Sequence, residues 1–266
     1  MNKIIMLGTG NGGTLNLYNT CFVIKNDNGN FLVDTGGSIE IIKRLKMVNI
    51  DLKDIKHIFI SHSHTDHILG IIWMFKKLSR GAINGTTHSK INIYCNNVVY
   101  EAIMGVSKYI LPEKLINGVL SVVDFHILEN NDIVNINGID YTFFDINARG
   151  TKQFGFECIM NNNRLVFLGD ETLSKNLYER VMGAEYVMHE AFCLDSEERI
   201  FGAYEKHHST VKSTCIEMNK LNIRNLILYH TEDTHLNKKE LYTQEAKEYF
   251  DKNVIVPDDL EEIIID

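Results

Sequence analysis

A short run of histidines with one aspartate carries the strongest chemical signal in the chain. Ser61-His62-Ser63-His64-Thr65-Asp66-His67 places three imidazoles and a carboxylate within six positions, directly after an apolar, strand-like stretch. A loop at the carboxyl end of a strand can aim several side chains at one point, and imidazole with carboxylate suits zinc and related divalent metals. His62 and His64 could then hold one ion, and Asp66 with His67 a second. A solvated polar loop is the other interpretation, but it does not account for three of the chain's 11 histidines in one turn.

Two distant polar residues occupy similar places in the sequence. Asp170 and His230 each follow directly on an apolar stretch, at 166–168 and 226–229. Ligands at the same end of neighbouring strands can converge. Taken alone, Asp170 could equally cap a helix, and His230 could be a polar residue that closes a buried strand. Four further histidines stand alone and are interpreted as surface or structural residues: His57, His88, His126 and His235.

The elements that must position these residues are strands and helices in two similar halves. Runs rich in Val, Ile, Phe and Tyr predict strands, among them 55–60, 119–128 and 154–160. Helical spacing and capping residues predict helices that include 39–48 and a segment from Ser209 or Thr210 to position 221. Each half contains a strand, a helix and a strand, which predicts an α/β architecture of two packed sheets with helices outside.

Length, composition and charge exclude several classes of protein. We interpret the 266 residues as a single domain, 1–266, because about 250 residues is ordinary for an α/β unit. Hydrophobic residues are 44% and charged residues 23%, which argues against disorder, and a net charge of −8 does not support general attraction to nucleic acid. The five scattered cysteines predict buried free thiols. No signal peptide or membrane-length apolar run is visible, so we expect a cytoplasmic protein with no membrane partner.

The histidine run resembles the HxHxDH motif of the metallo-β-lactamase superfamily. Further elements in the same order resemble its ribonuclease Z-like branch, namely Met6-Leu7-Gly8-Thr9-Gly10, Leu32-Val33-Asp34-Thr35-Gly36-Gly37, Leu168-Gly169-Asp170, His189-Glu190-Ala191, His208-Ser209-Thr210 and Leu228-Tyr229-His230. The resemblance covers nearly the whole chain. It implies a four-layer αββα sandwich and a metal-dependent hydrolase.

The resemblance also implies a role for each matching residue. His62, His64, Asp66, His67, Asp170 and His230 would hold two divalent ions, zinc or manganese, with Asp170 shared between them. Asp66 would orient a metal-activated hydroxide and accept its proton. His208 would stabilise charge or protonate the leaving oxygen, and Glu190 would hold His208 in its useful tautomer. These roles imply phosphodiester hydrolysis, and the relatives imply a homodimer.

One departure from the family pattern concerns a metal ligand. The superfamily places another metal histidine between the His67 helix and Asp170, but no histidine lies between His126 and His189. Asn147 is the nearest match in position, and His126 is a poorer candidate because it lies within an earlier strand. An amide oxygen is a weaker zinc ligand than imidazole. We therefore expect the metal position held by His62, His64 and Asp170 to have a low metal affinity, and Asn147→His to raise that affinity.

A second departure concerns the substrate. The tRNA-processing relatives carry a protruding arm, and its usual place is filled here by Asn161-Asn162-Asn163, a hairpin turn. We therefore expect no extended nucleic-acid surface. The substrate would be an RNA 3′ end or a small or cyclic nucleotide phosphodiester. The segment 194–204 is either the substrate-shaping loop or an ordinary connection. The alternatives are an ester, lactone or thioester metallohydrolase, and a degenerate member that only binds.

Overall fold

Two β-sheets form the centre of the molecule. A computed structural model describes residues 2–86 and 90–265, and within those ranges each sheet has seven strands. The strands of the first sheet are β1 (Lys3–Gly8), β2 (Cys21–Asn26), β3 (Gly29–Val33), β4 (Ile55–Ile60), β5 (Ile91–Cys95), β6 (Val123–Ile127) and β14 (Glu262–Ile264). Those of the second are β7 (Ile133–Ile136), β8 (Ile139–Asp145), β9 (Phe154–Met160), β10 (Asn163–Phe167), β11 (Tyr186–Glu190), β12 (Asn225–Tyr229) and β13 (Asn253–Ile255).

The two sheets share one topology. Their strand orders are β14-β1-β2-β3-β4-β5-β6 and β13-β12-β11-β10-β9-β8-β7. In the first sheet β3 to β6 run parallel, and in the second β10 to β13 do. The remaining pairs are antiparallel hairpins or an edge pairing. Ligand sites in such sheets lie beyond the carboxyl ends of the parallel strands.

Helices cover the outer face of each sheet. They are α1 (Glu40–Met47), α2 (Thr65–Ile83), α3 (Asn97–Ile110), α4 (Glu113–Leu120), α5 (Tyr178–Val181), α6 (Glu198–Phe201), α7 (Val211–Lys220) and α8 (Lys238–Tyr249). Thr210 caps α7, since its hydroxyl accepts a hydrogen bond from the Ser213 amide. No helix among the described residues is long and apolar enough to cross a membrane.

Three apolar clusters show the layers directly. One packs α1 to α4 on the first sheet through residues such as Ile58 and Phe75. A second lies between the sheets and is rich in aromatic side chains, including Phe59 and Phe156. A third packs the second sheet on α7 and α8 through residues such as Met218. The order helix, sheet, sheet, helix confirms the predicted αββα sandwich.

Some sequence predictions need correction. The predicted strand at 119–128 is wrong in its first half, because Val119 and Leu120 end α4 and the strand begins at Val123. The predicted hairpin after β9 is confirmed, with Asn161 and Asn162 at left-handed φ values of 50° and 65°. The five cysteines are free and buried, as predicted.

Candidate metal centre

The predicted site residues come from the carboxyl ends of neighbouring parallel strands. Asp34 follows β3, the run from Ser61 follows β4, and Asp170 follows β10. Glu190 ends β11, and His230 follows β12 with a left-handed φ of 58°. Non-glycine residues in that conformation are uncommon and concentrate at functional sites. The fold therefore brings residues from both sheets to one edge.

The first turn of α2 is held close to the loop after β3. The His67 carbonyl accepts hydrogen bonds from the Thr35 amide at 3.0 Å and the Thr35 hydroxyl at 2.8 Å. Gly70 permits this approach, because a Cβ there would lie 1.9 Å from the Thr35 carbonyl oxygen. These contacts therefore fix the position of the His67 backbone, from which the ring extends.

A buried carboxylate then fixes the His67 ring. Asp34 Oδ2 lies 2.9 Å from His67 Nδ1, and Asp34 also accepts the Ser61 amide at 2.8 Å and the Ser61 hydroxyl at 2.7 Å. A carboxylate on one imidazole nitrogen leaves the other nitrogen directed at the site, as in many metal centres. Sequence reasoning placed Asp34 in a motif but gave it no role in the site.

Asp170 lies at the middle of the cluster. Its Oδ2 is 3.3 Å from His62 Nε2, 3.2 Å from His67 Nε2 and 3.2 Å from His230 Nε2. Asp66 Oδ2 is 3.3 Å from His67 Nε2 and 3.5 Å from His230 Nε2. We call Asp66, His67 and His230 the aspartate side of the centre.

His62 and His64 form the other part, which we call the histidine pair. His62 Nε2 and His64 Nδ1 lie 3.0 Å apart. Two imidazole nitrogens at that distance share a proton or face a common cation. His62 is fully buried and its Nδ1 is 3.0 Å from the Ser61 hydroxyl, whereas His64 is exposed.

Opposite charges offset the cost of burying these groups. Burial by itself would raise the pKa of Asp170, but the imidazoles of His62 and His230 hold that pKa well below its usual range. Burial would lower the pKa of His230, but Asp170 and Asp66 outweigh it and raise the pKa to about 9. The pKa of Asp66 is also lowered, since His67 and His230 overcome its burial.

The donor set fits a divalent cation. His67 Nε2, His230 Nε2 and Asp170 Oδ1 are buried and make no hydrogen bond of proper geometry among the described residues. Ligand atoms about 2.0–2.1 Å from a tetrahedral zinc ion stand roughly 3.3 Å apart. The carboxylates of Asp66 and Asp170 lie at matching separations, 3.2–3.5 Å, from the Nε2 atoms of His67 and His230. Three groups could hold an ion, namely His62-His67-Asp170, Asp66-His67-His230 and Glu190-His208-His230.

His208 and Glu190 lie beside this cluster. Glu190 is fully buried, and its Oε2 is 3.0 Å from His208 Nδ1 while its Oε1 accepts the Ser209 amide at 2.6 Å. The His208 ring stacks on Phe192 with centroids 4.5 Å apart and an angle of 6°. Burial would raise the pKa of Glu190, but His208 holds it below its usual value.

An open cavity of about 230 Å³ gives access to these groups. His64, Asp66, Asp170, His208 and His230 line it. Lys206, 5.2 Å above the Phe192 ring, is the one lysine or arginine in the lining within residues 2–86 and 90–265. Sequence reasoning missed Lys206 and Phe192, because nothing in their spacing distinguishes them from ordinary residues.

Asn147, expected in place of the missing histidine, does not join the cluster. It is exposed, has a left-handed φ of 58°, and lines a different cavity. The Glu171 carboxylate accepts the amides of Arg149 at 2.7 Å and Gly150 at 3.1 Å, and these two long-range hydrogen bonds hold the loop outward. Gln153 lies closer, since its Oε1 accepts the Asp170 amide at 3.3 Å.

The isolated histidines stay outside the cluster. His126 pairs with Asn92 at 2.8 Å on an exposed strand, so it does not replace the missing ligand. His57 lies 3.0 Å from the Tyr94 hydroxyl, and His235 lies 2.5 Å from Glu197. His88 falls outside the described residues.

Comparisons with known proteins agree with this fold. The metallo-β-lactamase fold protein YhfI from Bacillus subtilis superposes with a TM-score of 0.79 at 15% identity, covering 98% of each chain. Ribonuclease Z 2, mitochondrial, of Schizosaccharomyces pombe is 22% identical over 186 residues, 67% of this chain and 26% of that protein. The resemblance to the metallo-β-lactamase superfamily and its ribonuclease Z-like branch is confirmed.

A second curated relative points to a narrower family. The anti-Pycsar protein Apyc1 of Bacillus phage BSP38 is 32% identical over 104 residues, which are 38% of each protein. The match to this chain spans 26% of the length of the ribonuclease Z and 38% of the length of the phage protein. The family model described as anti-Pycsar protein Apyc1 matches residues 2–249. The chain therefore belongs to the Apyc1 family of anti-Pycsar proteins.

Proposed function

We propose that the protein is a metal-dependent phosphodiesterase. The observation that carries the proposal is a buried cluster of imidazoles and carboxylates that fits divalent metal, open to a cavity whose wall contains the Glu190–His208 pair. The likeness to a ribonuclease Z supports the same reaction class.

The metal ligands would be divided between the two parts of the centre. His67, His230 and Asp66 would hold one ion, and His62 with His64 the other, while Asp170 contacts both parts. Zinc suits these ligands, and manganese is the harder alternative. When bound, the metal ions supply charge neutralisation at phosphoryl oxygens and make water more acidic.

The chain's own groups would then move the protons. A water oxygen attacks phosphorus, and Asp66 accepts the proton that this water loses. The phosphorus–oxygen ester bond breaks, and His208 donates a proton to the leaving oxygen. Because Glu190 occupies His208 Nδ1, the other ring nitrogen is the one available to the substrate. Glu190 acts here as a positioning residue.

The cavity favours a compact phosphodiester. Its volume of about 230 Å³ is below that of pockets for drug-sized ligands, which favours a small substrate. The place of the tRNA-gripping arm holds only the Asn161–Asn162 turn between β9 and β10. A small or cyclic nucleotide, or the end of an RNA, is therefore the substrate we propose. A cytoplasmic homodimer is proposed by likeness to the family.

Hydrolysis of bis(p-nitrophenyl) phosphate, with and without added zinc or manganese, tests the proposal. We expect metal-dependent turnover that Asp66→Ala and His208→Ala each lower by roughly a hundredfold or more. His126→Ala is the matched control and should leave the rate unchanged, because His126 lies on exposed β6. Turnover of carboxylic esters that is indifferent to His208→Ala, or no turnover with either metal in folded protein, would overturn the proposal.

A further inference from the structure

Lys206 contributes a positive charge to the wall of the metal-site cavity. It is exposed, and it lines this cavity together with Asp66, Asp170 and His208. Across the part of the chain that the structure describes, the Lys206 ammonium makes no ion pair and no hydrogen bond. Its Nζ lies 5.2 Å from the centre of the Phe192 ring, which is a cation–π distance. An ammonium without an anionic partner is available to a negative group that enters the cavity.

The acidic side chains of the same wall already have partners. Asp66 and Asp170 each lie within 3.5 Å of imidazole nitrogens of the centre. Glu232 accepts a hydrogen bond from the Asn11 side-chain amide at 2.9 Å. Divalent cations on the two aspartates would make the wall more positive. Within the described ranges, an anion in the cavity would therefore meet Lys206 without having to break an ion pair of that lysine.

Phe192 fixes the place of Lys206 relative to the reacting groups. Its buried ring stacks on His208 with centroids 4.5 Å apart, and the centroid of the His230 ring lies 6.1 Å away. The Phe192 backbone is also held, because its carbonyl accepts the Glu232 amide at 2.8 Å. One buried ring thus lies beside the ammonium, the proposed proton donor and a proposed metal ligand.

The chain between α6 and His208 also restrains the Lys206 backbone. The Lys206 amide donates to the Gly202 carbonyl at 3.1 Å, and Gly202 has a left-handed φ of 62°. The His208 amide donates to the Ala203 carbonyl at 2.8 Å. These two bonds fold residues 202–208 into a compact turn, so that Lys206 and His208 both line the metal-site cavity.

We propose that Lys206 binds a non-bridging oxygen of the phosphodiester and selects anionic substrates over neutral esters. This inference rests on the proposed phosphodiesterase function and adds a substrate contact that the metal ligands and His208 do not supply. A phosphodiester carries one negative charge before it reacts, so the contact forms in the bound substrate as well as in the transition state. Loss of such a contact raises KM and leaves kcat nearly unchanged.

The first test is the split between KM and kcat in zinc-loaded Lys206→Gln. We expect the KM for bis(p-nitrophenyl) phosphate to rise about tenfold, as for one charge-assisted contact, while kcat changes by less than about twofold. Lys206→Arg keeps the charge and should hold the KM within about threefold of the wild type.

A purely structural role of Lys206 would give a different result. If Lys206 only supported Phe192 and His208, Lys206→Gln would lower kcat, because His208 donates the proton to the leaving oxygen. A fall in kcat at constant KM, or no change in either constant, would overturn the inference.

A binding measurement needs no turnover. Diphenylphosphinate carries one negative charge and has no ester bond to hydrolyse, and methyldiphenylphosphine oxide has a similar shape without the charge. Calorimetric titration of the zinc-loaded wild type should show tighter binding of diphenylphosphinate, and Lys206→Gln should reduce this preference about tenfold. Lys43→Gln on α1 is the matched control, since Lys43 is an exposed lysine that lines a different cavity, and it should bind both probes as the wild type does.

The binding results separate the Lys206 contact from the proposed function. If Lys206→Gln keeps the preference of the wild type, or if the wild type has none, the Lys206 contact is overturned whatever the turnover. If only Lys206→Gln loses the preference, in a protein that hydrolyses no phosphodiester, the proposed function is overturned and the anion contact stands.

Discussion

The aspartate side and the histidine pair begin in the same loop but are held by different means. On the aspartate side, Asp34 fixes His67 at 2.9 Å, and His230 comes from a strand of the other sheet. In the histidine pair, His62 Nδ1 lies against a serine hydroxyl and, among the described residues, against no carboxylate, and His64 is exposed. Asn147, the nearest match in position to a third histidine, stays outside the centre, because Glu171 holds the 147–150 loop outward.

In the two-metal centre that we propose, this contrast would make one metal position preorganised and leave the other less so. Ligands that are fixed by carboxylates bind metal more tightly than ligands with freedom to turn. We therefore expect the aspartate side to hold metal first and the histidine pair to fill at higher metal concentration.

Loss of one ligand from each side should give unequal effects. His230→Ala removes a ligand of the preorganised side, and we expect phosphodiester turnover to fall by roughly a hundred- to a thousandfold. His64→Ala removes a ligand of the weaker side, and we expect a loss of about tenfold that added metal partly restores. Turnover titrated against zinc measures both. Equal losses in the two variants would remove the distinction between the sides.

The pH dependence of metal binding should also separate the two sides. Burial would lower the pKa of His230, but Asp170 and Asp66 raise it to about 9, so below that pH a proton must leave before metal binds. The pKa of His67 is also raised, by Asp66 and Asp34 against its burial, so affinity on the aspartate side should rise by at least about tenfold for each pH unit between 7 and 9. Partial desolvation and the neighbouring His62 lower the pKa of His64, so no proton has to leave that ring above neutral pH. Calorimetric titration in buffers of different ionisation enthalpy counts the released protons, and a count of zero at pH 7 contradicts this account.

Asp34→Asn tests the support of His67. The amide can still occupy the space, but it removes the negative charge that faces His67 Nδ1. We expect the affinity of the tighter metal position to fall about 10- to 100-fold, with little change in the weaker one. Competition with a chromogenic chelator measures both constants. A uniform change in the two would show that Asp34 supports the fold and not the aspartate side in particular.

Gly70→Ala tests the approach of α2 to the loop after β3. A Cβ at position 70 would lie 1.9 Å from the Thr35 carbonyl oxygen, so the helix must shift. We expect the free energy of unfolding to fall by about 1–3 kcal/mol. Gly105→Ala is the matched control in α3, where a Cβ meets nothing within 4 Å, and should stabilise by up to about 1 kcal/mol. Urea denaturation of both variants gives the comparison, and equal stability would mean that the contact is not tight.

The smallest effect is expected from Asn147→His. The sequence alone suggests that this change would tighten the weak metal position, but residue 147 lines a separate cavity and not the metal centre. We therefore expect metal affinity and stoichiometry to stay as in the wild type when measured by elemental analysis after dialysis. Tighter binding would show that the 147–150 loop turns inward when metal is present.

The parts of the fold that follow from sequence are those with strong local patterns. The predicted strands at 55–60 and 154–160 match β4 and β9, because both are rich in Ile and Phe and are bounded by polar residues. The edge strand β14 was not predicted, since its three residues pair with β1 from the far end of the chain. The apolar run that ends α4 predicts a strand from its sequence, because a short run does not distinguish helix from strand.

The candidate site also contains residues that local motifs predict and residues whose positions depend on distant contacts. His62, His67, Asp170 and His230 converge as the motifs predicted, since each follows a strand of a parallel set. Asn147 does not, because a carboxylate 24 residues later in the sequence, that of Glu171, sets the path of its loop. Such long-range hydrogen bonds leave no local trace in the sequence.

Anomalous diffraction at the zinc edge, from crystals of protein purified without chelator, tests the central claim most directly. The account predicts a strong peak bounded by Asp170, His67 and His230, with a weaker peak or none beside His62 and His64. A protein that contains zinc but shows no peak within ligand distance of these residues, or a stronger peak at the histidine pair, would contradict it.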